Sequence, residues 1–174
     1  MAYKMKTDVI IIKGAPGSGK SETAEILSAH FKKSIKIEAD IVRSMIVSVD
    51  WMDLRDHVNT LNIAADMTLK FLQYDYKPVI IIDTFSCGKI KGFTDILYKS
   101  CINLSVKIFS LHVKDDELKK RLKSRKDDKF KDFLLSKEVN DDIIKLKTED
   151  EIIIDTTGKT AKDTADEIFN ILEK

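Results

Sequence analysis

The residues whose types and spacing could do chemistry are concentrated in a glycine-rich stretch near the start of the chain. It fits the pattern G-x-x-x-x-G-K-S with Gly14, Ala15, Pro16, Gly17, Ser18, Gly19, Lys20 and Ser21, and Glu22 follows it. In such a loop, backbone N–H groups converge on an anion, the lysine reaches the β- and γ-phosphates, and the serine hydroxyl completes the coordination of Mg²⁺. The pattern therefore predicts binding of a nucleoside triphosphate with Mg²⁺. ATP is the expected donor, although no motif excludes GTP.

The residues around this loop place it between a strand and a helix. Residues 9–12 form a β-branched run typical of a central parallel strand that is buried on both faces. After the loop, Ile26, Leu27 and Phe31 recur at helical spacing. An ordinary glycine-rich turn is the alternative, and it would need three of the six glycines to fall into this register by accident. The context favours a phosphate loop at a helix N-terminus.

Asp40 and Arg43 follow the strand-like run at residues 35–37. The carboxyl ends of parallel strands are where ligands bind in open α/β sheets. We expect Asp40 to cap a short helix that carries Arg43 on the same side. A kinase needs a carboxylate to accept the proton of the acceptor hydroxyl and an arginine to fix the acceptor, and this pair fits that division. The alternative is a helix N-cap with a surface arginine.

Asp83 ends the apolar run at residues 79–82. It is predicted to hold Mg²⁺ directly or through water, or to anchor an arginine of the acceptor site. Motor and transporter ATPases usually follow such an aspartate with a glutamate, whereas Thr84 stands here. Ser86 replaces the glycine of a D-x-x-G switch, and no N-K-x-D guanine reader is present. These differences favour transfer to an acceptor other than water.

A basic amphipathic segment covers residues 116–125. Leu118 and Leu122 share one helix face, and Arg121 and Arg125 recur four residues apart on its flank. On a helix that closes over the phosphates, such arginines neutralise charge at the γ-phosphoryl group. A solvated basic face is the alternative, and about as strongly indicated.

Four other residues could have a functional role, but a surface or packing role is the interpretation that their spacing favours. The histidines lack metal-ligand spacing and are interpreted as surface or packing residues: His30, His57 and His112. Trp51 could line an acceptor pocket, and a core position is at least as typical of such a side chain.

The elements that must position these residues alternate along the chain. Strand-like runs recur at residues 9–12, 35–37, 79–82, 106–113 and 152–154, with helical patterns between them. This order predicts a three-layer α/β/α fold with a five-stranded parallel sheet, formed by one domain over residues 1–174. A long helix is expected before Lys77-Pro78, and Thr160 with Asp163 predicts a capped start for the last helix.

Composition limits the classes of partner. Lys and Arg number 30 and Asp and Glu 29, which argues against a broad cationic surface for long nucleic acid or membrane. Two cysteines without metal-type spacing favour a reduced, cytoplasmic chain. No run approaches membrane-spanning length, and no pattern reports the oligomeric state.

Taken together, the motifs resemble the small phosphate-loop kinases, a family that includes polynucleotide 5′-kinases, zeta-toxin kinases and chloramphenicol phosphotransferase. The matches follow the family's order: the phosphate loop, Asp40-x-x-Arg43, Ile82-Asp83-Thr84, and Glu117-Leu118-x-x-Arg121 with Arg125. The resemblance implies a P-loop NTPase fold of the nucleoside- and nucleotide-kinase type. It also implies Asp40 as the acceptor base, Arg43 as its partner, and Asp83 as support for the active centre.

On the donor side, the resemblance implies a short lid at about residues 115–137 with Arg125 as the lid arginine and Arg121 behind it. Residues 153–157 look like the last strand and the loop that passes near adenine, where Thr157 would contact the nucleotide mainly through its backbone. Residues 44–56, where acceptor specificity resides, match no member of the family.

These observations predict a kinase that transfers the γ-phosphoryl group of ATP to a hydroxyl of a small-molecule or nucleotide-like acceptor. A nucleoside or nucleotide kinase is a closely related alternative. A regulatory ATP-binding module without an acceptor belongs to a different class. A third alternative, suggested by the basic lid, is a 5′-end kinase for DNA or RNA. The near-neutral charge disfavours the last.

Overall fold

A sheet of five parallel strands forms the centre of the protein, in the order β2-β3-β1-β4-β5. The structure is a computed structural model that describes residues 7–101, 103–127 and 129–174. Its strands are β1 (Val9–Gly14), β2 (Ile35–Glu38), β3 (Val79–Asp83), β4 (Val106–His112) and β5 (Glu151–Asp155). Because β1 is central, the loop that follows it lies in the middle of the carboxyl edge of the sheet.

Helices cover both faces of the sheet. They are α1 (Lys20–Ser28), α2 (Ala39–Arg43), α3 (Leu54–Gln73), α4 (Lys89–Ser100), α5 (Asp115–Ser124), α6 (Phe133–Lys145) and α7 (Ala161–Leu172). Alternate residues of β1 enter two separate cores: Val9 and Ile11 pack with residues of α3 and α4, whereas Ile10 and Ile12 pack with residues of α1 and α7. This period of two is what a strand buried on both faces requires.

The predicted three-layer α/β/α arrangement is confirmed, with all five parallel strands at the expected places. The long helix is α3, and Thr160 and Asp163 form the predicted capping box of α7. Within the described residues, no helix is both long and apolar enough to cross a membrane.

One expectation about helix starts is wrong. Asp40 does not cap α2: the helix begins at Ala39 with Glu38 at the N-cap position, so Asp40 lies in its first turn. The spacing that suggested a cap cannot distinguish the N-cap position from the first helical positions, because acidic residues are favourable at both.

The predicted lid segment is two helices joined by a loop. α5 ends at Ser124 and α6 begins at Phe133, where the Asp132 side chain accepts from the backbone N–H of Leu135. Asn140 of α6 is fully buried, and its side-chain amide exchanges two hydrogen bonds with the backbone of Val113. This exchange fastens α6 to the end of β4.

A buried ion pair that no sequence pattern predicted crosses the sheet beneath the phosphate loop. Lys13 Nζ donates to Glu151 Oε2 at 2.7 Å, and the Ser110 hydroxyl donates to the same oxygen at 2.7 Å. Lys13 is 3% exposed and Glu151 6% exposed, so each charge depends on the other for compensation. The pair connects β1 to β5 through β4.

The phosphate loop packs directly against α5 at Gly17. This glycine has φ +88°, and a Cβ there would stand 3.0 Å from Leu118 and 3.1 Å from Leu122. Both conditions favour glycine, because a left-handed backbone and a close neighbour each penalise a side chain.

We expect Gly17→Ala to lower the free energy of unfolding by roughly 1–3 kcal/mol, through left-handed strain and contact with α5. Gly92→Ala is the matched control, because Gly92 lies in α4 with nothing within 4 Å of an added Cβ. The control should raise stability by roughly 0.5–1 kcal/mol, as alanine does inside helices. Chemical denaturation of both variants checks this, and equal effects at the two positions would contradict it.

Candidate active site

The phosphate loop opens an anion site at the start of α1. Gly19 occupies the N-cap position with φ 91°, and no side chain caps the helix. The first backbone N–H groups of α1 therefore stay open to a phosphate, together with the positive end of the helix dipole. At the other end of the loop, a Cβ on Gly14 would stand 2.4 Å from the Ser18 hydroxyl. Gly14 is thus needed for the loop to close on itself.

A cavity of about 480 Å³ adjoins this anion site, and its volume suits a nucleotide. The cavity lies between the phosphate loop, the C-terminal half of α5 and the connection from β5 to α7. Its lining includes these predicted residues: Gly17, Ser18, Gly19, Lys20, Ser21, Glu22, Arg121 and Arg125.

Four residues that were predicted to bind the nucleotide lie outside that lining. Gly14, Ala15 and Pro16 form the base of the loop. Thr157 turns its hydroxyl to the backbone N–H of Lys114, at 2.9 Å, and the neighbouring Thr156 lines the cavity instead. Backbone contact of Thr157 with a base stays a prediction.

Arg121 joins the two walls of the cavity. Its guanidinium donates to the carbonyl oxygens of Thr156 at 2.6 Å, Lys159 at 3.2 Å and Ser18 at 3.5 Å, and its Nε donates to Glu117 Oε1 at 3.0 Å. With these acceptors engaged, Arg121 holds the phosphate loop against the β5–α7 connection. Arg121 and Arg125 both line the cavity, and the expected role of Arg121 behind the lid arginine stays a prediction.

Arg125 stands at the C-cap of α5, on the phosphate side of the cavity. It donates to the carbonyl oxygen of Phe130 at 2.9 Å, which holds the loop after α5. Its charge also lowers the pKa of Lys20, so the two cations share one region. Such a region stabilises the charge of a triphosphate.

Lys20 also interacts with a pair of carboxylates. Desolvation lowers the pKa of its ammonium group, while the charges of Asp40 and Asp83 raise it. The pKa of Asp40 is raised from its ordinary value by partial desolvation and then by the charge of Asp83, against the opposite effect of Lys20. Asp40 nevertheless belongs to the exposed residues, so part of it remains open to solvent. The sequence-predicted base therefore lies beside the predicted phosphate-binding lysine.

Asp83 is held by two donors, and one comes from a residue that sequence reasoning missed. The backbone N–H of Phe85 donates to its Oδ2 at 2.7 Å, and His57 Nε2 lies 3.2 and 3.3 Å from its two oxygens. His57 had been interpreted as a surface or packing residue, yet it is a partner of the site. A single histidine in the first turn of α3 carries no spacing signal, because its partner is 26 residues away.

Arg43 is buried, so it is not the surface arginine of the alternative interpretation. It is 5% exposed, and one guanidinium nitrogen donates to the carbonyl oxygens of Asp50 and Asp53, each at 2.8 Å. The guanidinium carbon lies 5.2 Å from the centre of the Trp51 ring, and Nε is buried without a partner among the described residues. Arg43 thus fixes the loop between α2 and α3, and contact with an acceptor stays a prediction.

The oxygen donors beside Lys20 fit a Mg²⁺ that arrives with the nucleotide. The Ser21 hydroxyl donates to Glu38 Oε2 at 3.0 Å, which brings a carboxylate to the expected metal ligand. Both oxygens of Asp83 already accept from protein donors, so a water-mediated contact suits it better than direct ligation. No cluster of three acidic, histidine or cysteine ligands occurs in the part of the chain that the structure describes. A metal held by one hydroxyl, phosphates and water needs no such cluster.

Comparison with known proteins agrees with this geometry. A family model described as an AAA domain matches residues 10–160, which covers all five strands and the phosphate loop. No curated protein matches the chain.

Solved structures with the same fold include several kinases. The tunicamycin resistance protein of Deinococcus radiodurans has a TM-score of 0.69 at 18% identity, with 96% of each chain covered. A gluconokinase from Sinorhizobium meliloti has a TM-score of 0.67 at 18% identity, covering 94% of this chain and 90% of its own. The APS kinase of Mycobacterium tuberculosis, in complex with AMPPNP and APS, has a TM-score of 0.68 at 11% identity, covering 97% and 98%. The chain thus has a kinase-like phosphate-loop fold.

Arg121→Lys should lower the free energy of unfolding by roughly 1–3 kcal/mol and weaken nucleotide binding, because an ammonium group cannot reach three carbonyl oxygens at once. Lys120→Ala is the control. The Lys120 side chain is 81% exposed, and its ion pair with Glu117 is long, at 3.9 Å, so the substitution should leave both quantities unchanged. Denaturant unfolding and calorimetric titration with a non-hydrolysable ATP analogue measure the two effects. A lysine variant with normal stability and affinity would show that Arg121 does not join the walls.

Proposed function

Since the chain belongs to the AAA domain family, we propose that it is a kinase that transfers the γ-phosphoryl group of ATP, with Mg²⁺, to a hydroxyl of a small-molecule or nucleotide-like acceptor. One observation carries the proposal. Lys20 lines the cavity together with Arg125, and its ammonium group also interacts with the charges of Asp40 and Asp83. A phosphate-binding lysine next to an accessible carboxylate is the arrangement that in-line transfer requires.

In this reaction the acceptor oxygen attacks the γ-phosphorus while the bond from phosphorus to the β–γ bridging oxygen breaks. The acceptor proton passes to the Asp40 carboxylate and then to solvent, and ADP leaves with the bridging oxygen. Asp40 orients the hydroxyl and accepts its proton as the new bond forms. The raised pKa of Asp40 improves it as a proton acceptor, although it remains ionised only above that pKa.

The phosphate side is stabilised by fixed charges. Lys20 and Arg125 neutralise the charge that spreads over the γ-phosphoryl oxygens, and the backbone N–H groups of the loop bind the β-phosphate. Ser21, next to Glu38, would hold a Mg²⁺ together with the phosphates, and the ion would supply charge neutralisation at the β- and γ-phosphate oxygens. His57 and the Phe85 backbone keep the Asp83 carboxylate in one orientation.

Asp40→Asn should lower kcat by about 10²–10⁴-fold while leaving ATP affinity near its normal value, because only the proton acceptor is lost. The control is Asp66→Asn, an exposed aspartate of α3 outside the site. Acceptor-dependent ADP release, with Lys20→Ala as the blank, measures the rates. Unchanged turnover in Asp40→Asn would remove the assigned base. ATP binding without stimulation by any acceptor would favour a regulatory ATP-binding module.

The pH profile offers a separate test. Since Asp40 acts as the carboxylate, kcat/KM falls on the acidic side as Asp40 is protonated. Asp83→Asn removes a negative charge that raises the pKa of Asp40, so this acidic limb should move to lower pH even where the rate itself falls. Asp95→Asn, an exposed aspartate of α4 paired with Lys91, should leave the limb in place. If the acidic limb of the kcat/KM profile stays at the same pH in Asp83→Asn, the charge of Asp83 does not raise the pKa of Asp40.

A further inference from the structure

The residues that follow Asp40 expose an unusual amount of apolar surface. We call residues 38–58 the acceptor segment; it comprises the end of β2, α2, the loop and the start of α3. Large apolar side chains stand in solvent along it, with these exposed fractions: Ile41 55%, Met45 70%, Val47 100%, Trp51 51%, Met52 83%, Leu54 66% and Val58 43%. Single exposed apolar residues are ordinary, but a concentration beside a reactive group marks a binding surface.

Buried contacts hold this segment in one shape. Arg43 donates to the carbonyl oxygens of Asp50 and Asp53, and so ties the end of the loop to α2. The half-exposed indole of Trp51 lies over the same guanidinium. The Asp53 side chain accepts from the backbone N–H of Arg55 and caps α3. The apolar side chains are therefore presented by two helices and by a loop whose end is held by these contacts.

The charge of the segment excludes one class of acceptor. It contains five carboxylates, Glu38, Asp40, Asp50, Asp53 and Asp56, and two arginines, Arg43 and Arg55. The Arg43 guanidinium is committed to two carbonyl oxygens and the Trp51 ring, and its unpaired Nε is buried. Arg55 is 82% exposed and lies 3.9 Å from Asp53. An acceptor that carries a phosphate or carboxylate would meet a net negative surface here.

We propose that the acceptor is a hydroxyl compound with an apolar or aromatic body and no anionic group. This inference rests on the proposed kinase function and names its acceptor class. The hydroxyl lies at Asp40, and the body covers the apolar side chains of the acceptor segment, with Trp51 as the aromatic platform. The apolar area supplies affinity, while the carboxylates disfavour phosphorylated competitors.

The first experiment measures ADP release with ATP and Mg²⁺ for three groups of acceptors. Phenyl β-D-glucopyranoside and 3-phenyl-1-propanol carry an apolar body, glucose and glycerol are polar, and glucose 6-phosphate and UMP are anionic. We expect kcat/KM to be at least about tenfold higher for the apolar group than for either other group. Preference for the polar or anionic group would overturn the inference and leave the kinase proposal standing.

Binding separates failure of the inference from failure of the kinase proposal. Trp51 is the sole tryptophan of the chain, so its fluorescence reports on this loop alone. A saturable change with the phenyl compounds, in the presence of a non-hydrolysable ATP analogue, is expected. Turnover with none of the three groups would count against the kinase proposal. If the phenyl compounds also cause no change in Trp51 fluorescence, the proposed acceptor class is overturned too.

Ile41→Ser and Ile63→Ser form a matched pair of variants, because both isoleucines are about half exposed and lie on helices. Ile41→Ser should reduce the preference for phenyl glucoside over glucose roughly tenfold, whereas Ile63→Ser should leave it unchanged. Sedimentation of both variants tests a second copy of the chain as the occupant. A dimer that dissociates in Ile41→Ser, without a change in acceptor preference, would overturn the inference.

Discussion

The packing of the phosphate loop on α5 is the constraint on which the donor side depends. Gly17 brings the loop within contact distance of Leu118 and Leu122, and Arg121 of the same helix binds backbone oxygens on both walls of the cavity. The loop, the helix and the β5–α7 connection therefore form one body. The anion site keeps its shape because these contacts fix the backbone that supplies the N–H groups.

The acceptor side is organised by buried polar contacts of a different kind. Arg43 binds carbonyl oxygens of its own following loop, and His57 reaches from α3 to the Asp83 carboxylate. The first contact connects α2 to the loop that precedes α3, and the second connects α3 to the end of β3. The proposed base, Asp40, stands on α2, so its position relative to Lys20 depends on residues that need not touch a substrate.

Much of the fold could be predicted from the sequence because the apolar runs have the periods of buried strands and amphipathic helices. The phosphate loop could be predicted because its backbone geometry demands glycine at set positions. The roles of His57 and Arg43 could not, since each depends on side chains or carbonyl oxygens brought close by tertiary packing. The same is true of Lys13 and Glu151, 138 residues apart, each of which alone resembles a surface charge. The start of α2 was misplaced by two residues because acidic side chains suit several positions at a helix start.

The donor side and the acceptor segment carry opposite charge, and this difference affects the release of the product after phosphoryl transfer. The donor side offers Lys20, Arg121 and Arg125, whereas the acceptor segment carries five carboxylates against two arginines. In the proposed reaction a neutral alcohol enters the acidic side and becomes a phosphate monoester with close to two negative charges. The product is then repelled by the surface that admitted the substrate, so the same carboxylates speed its departure and oppose the reverse reaction.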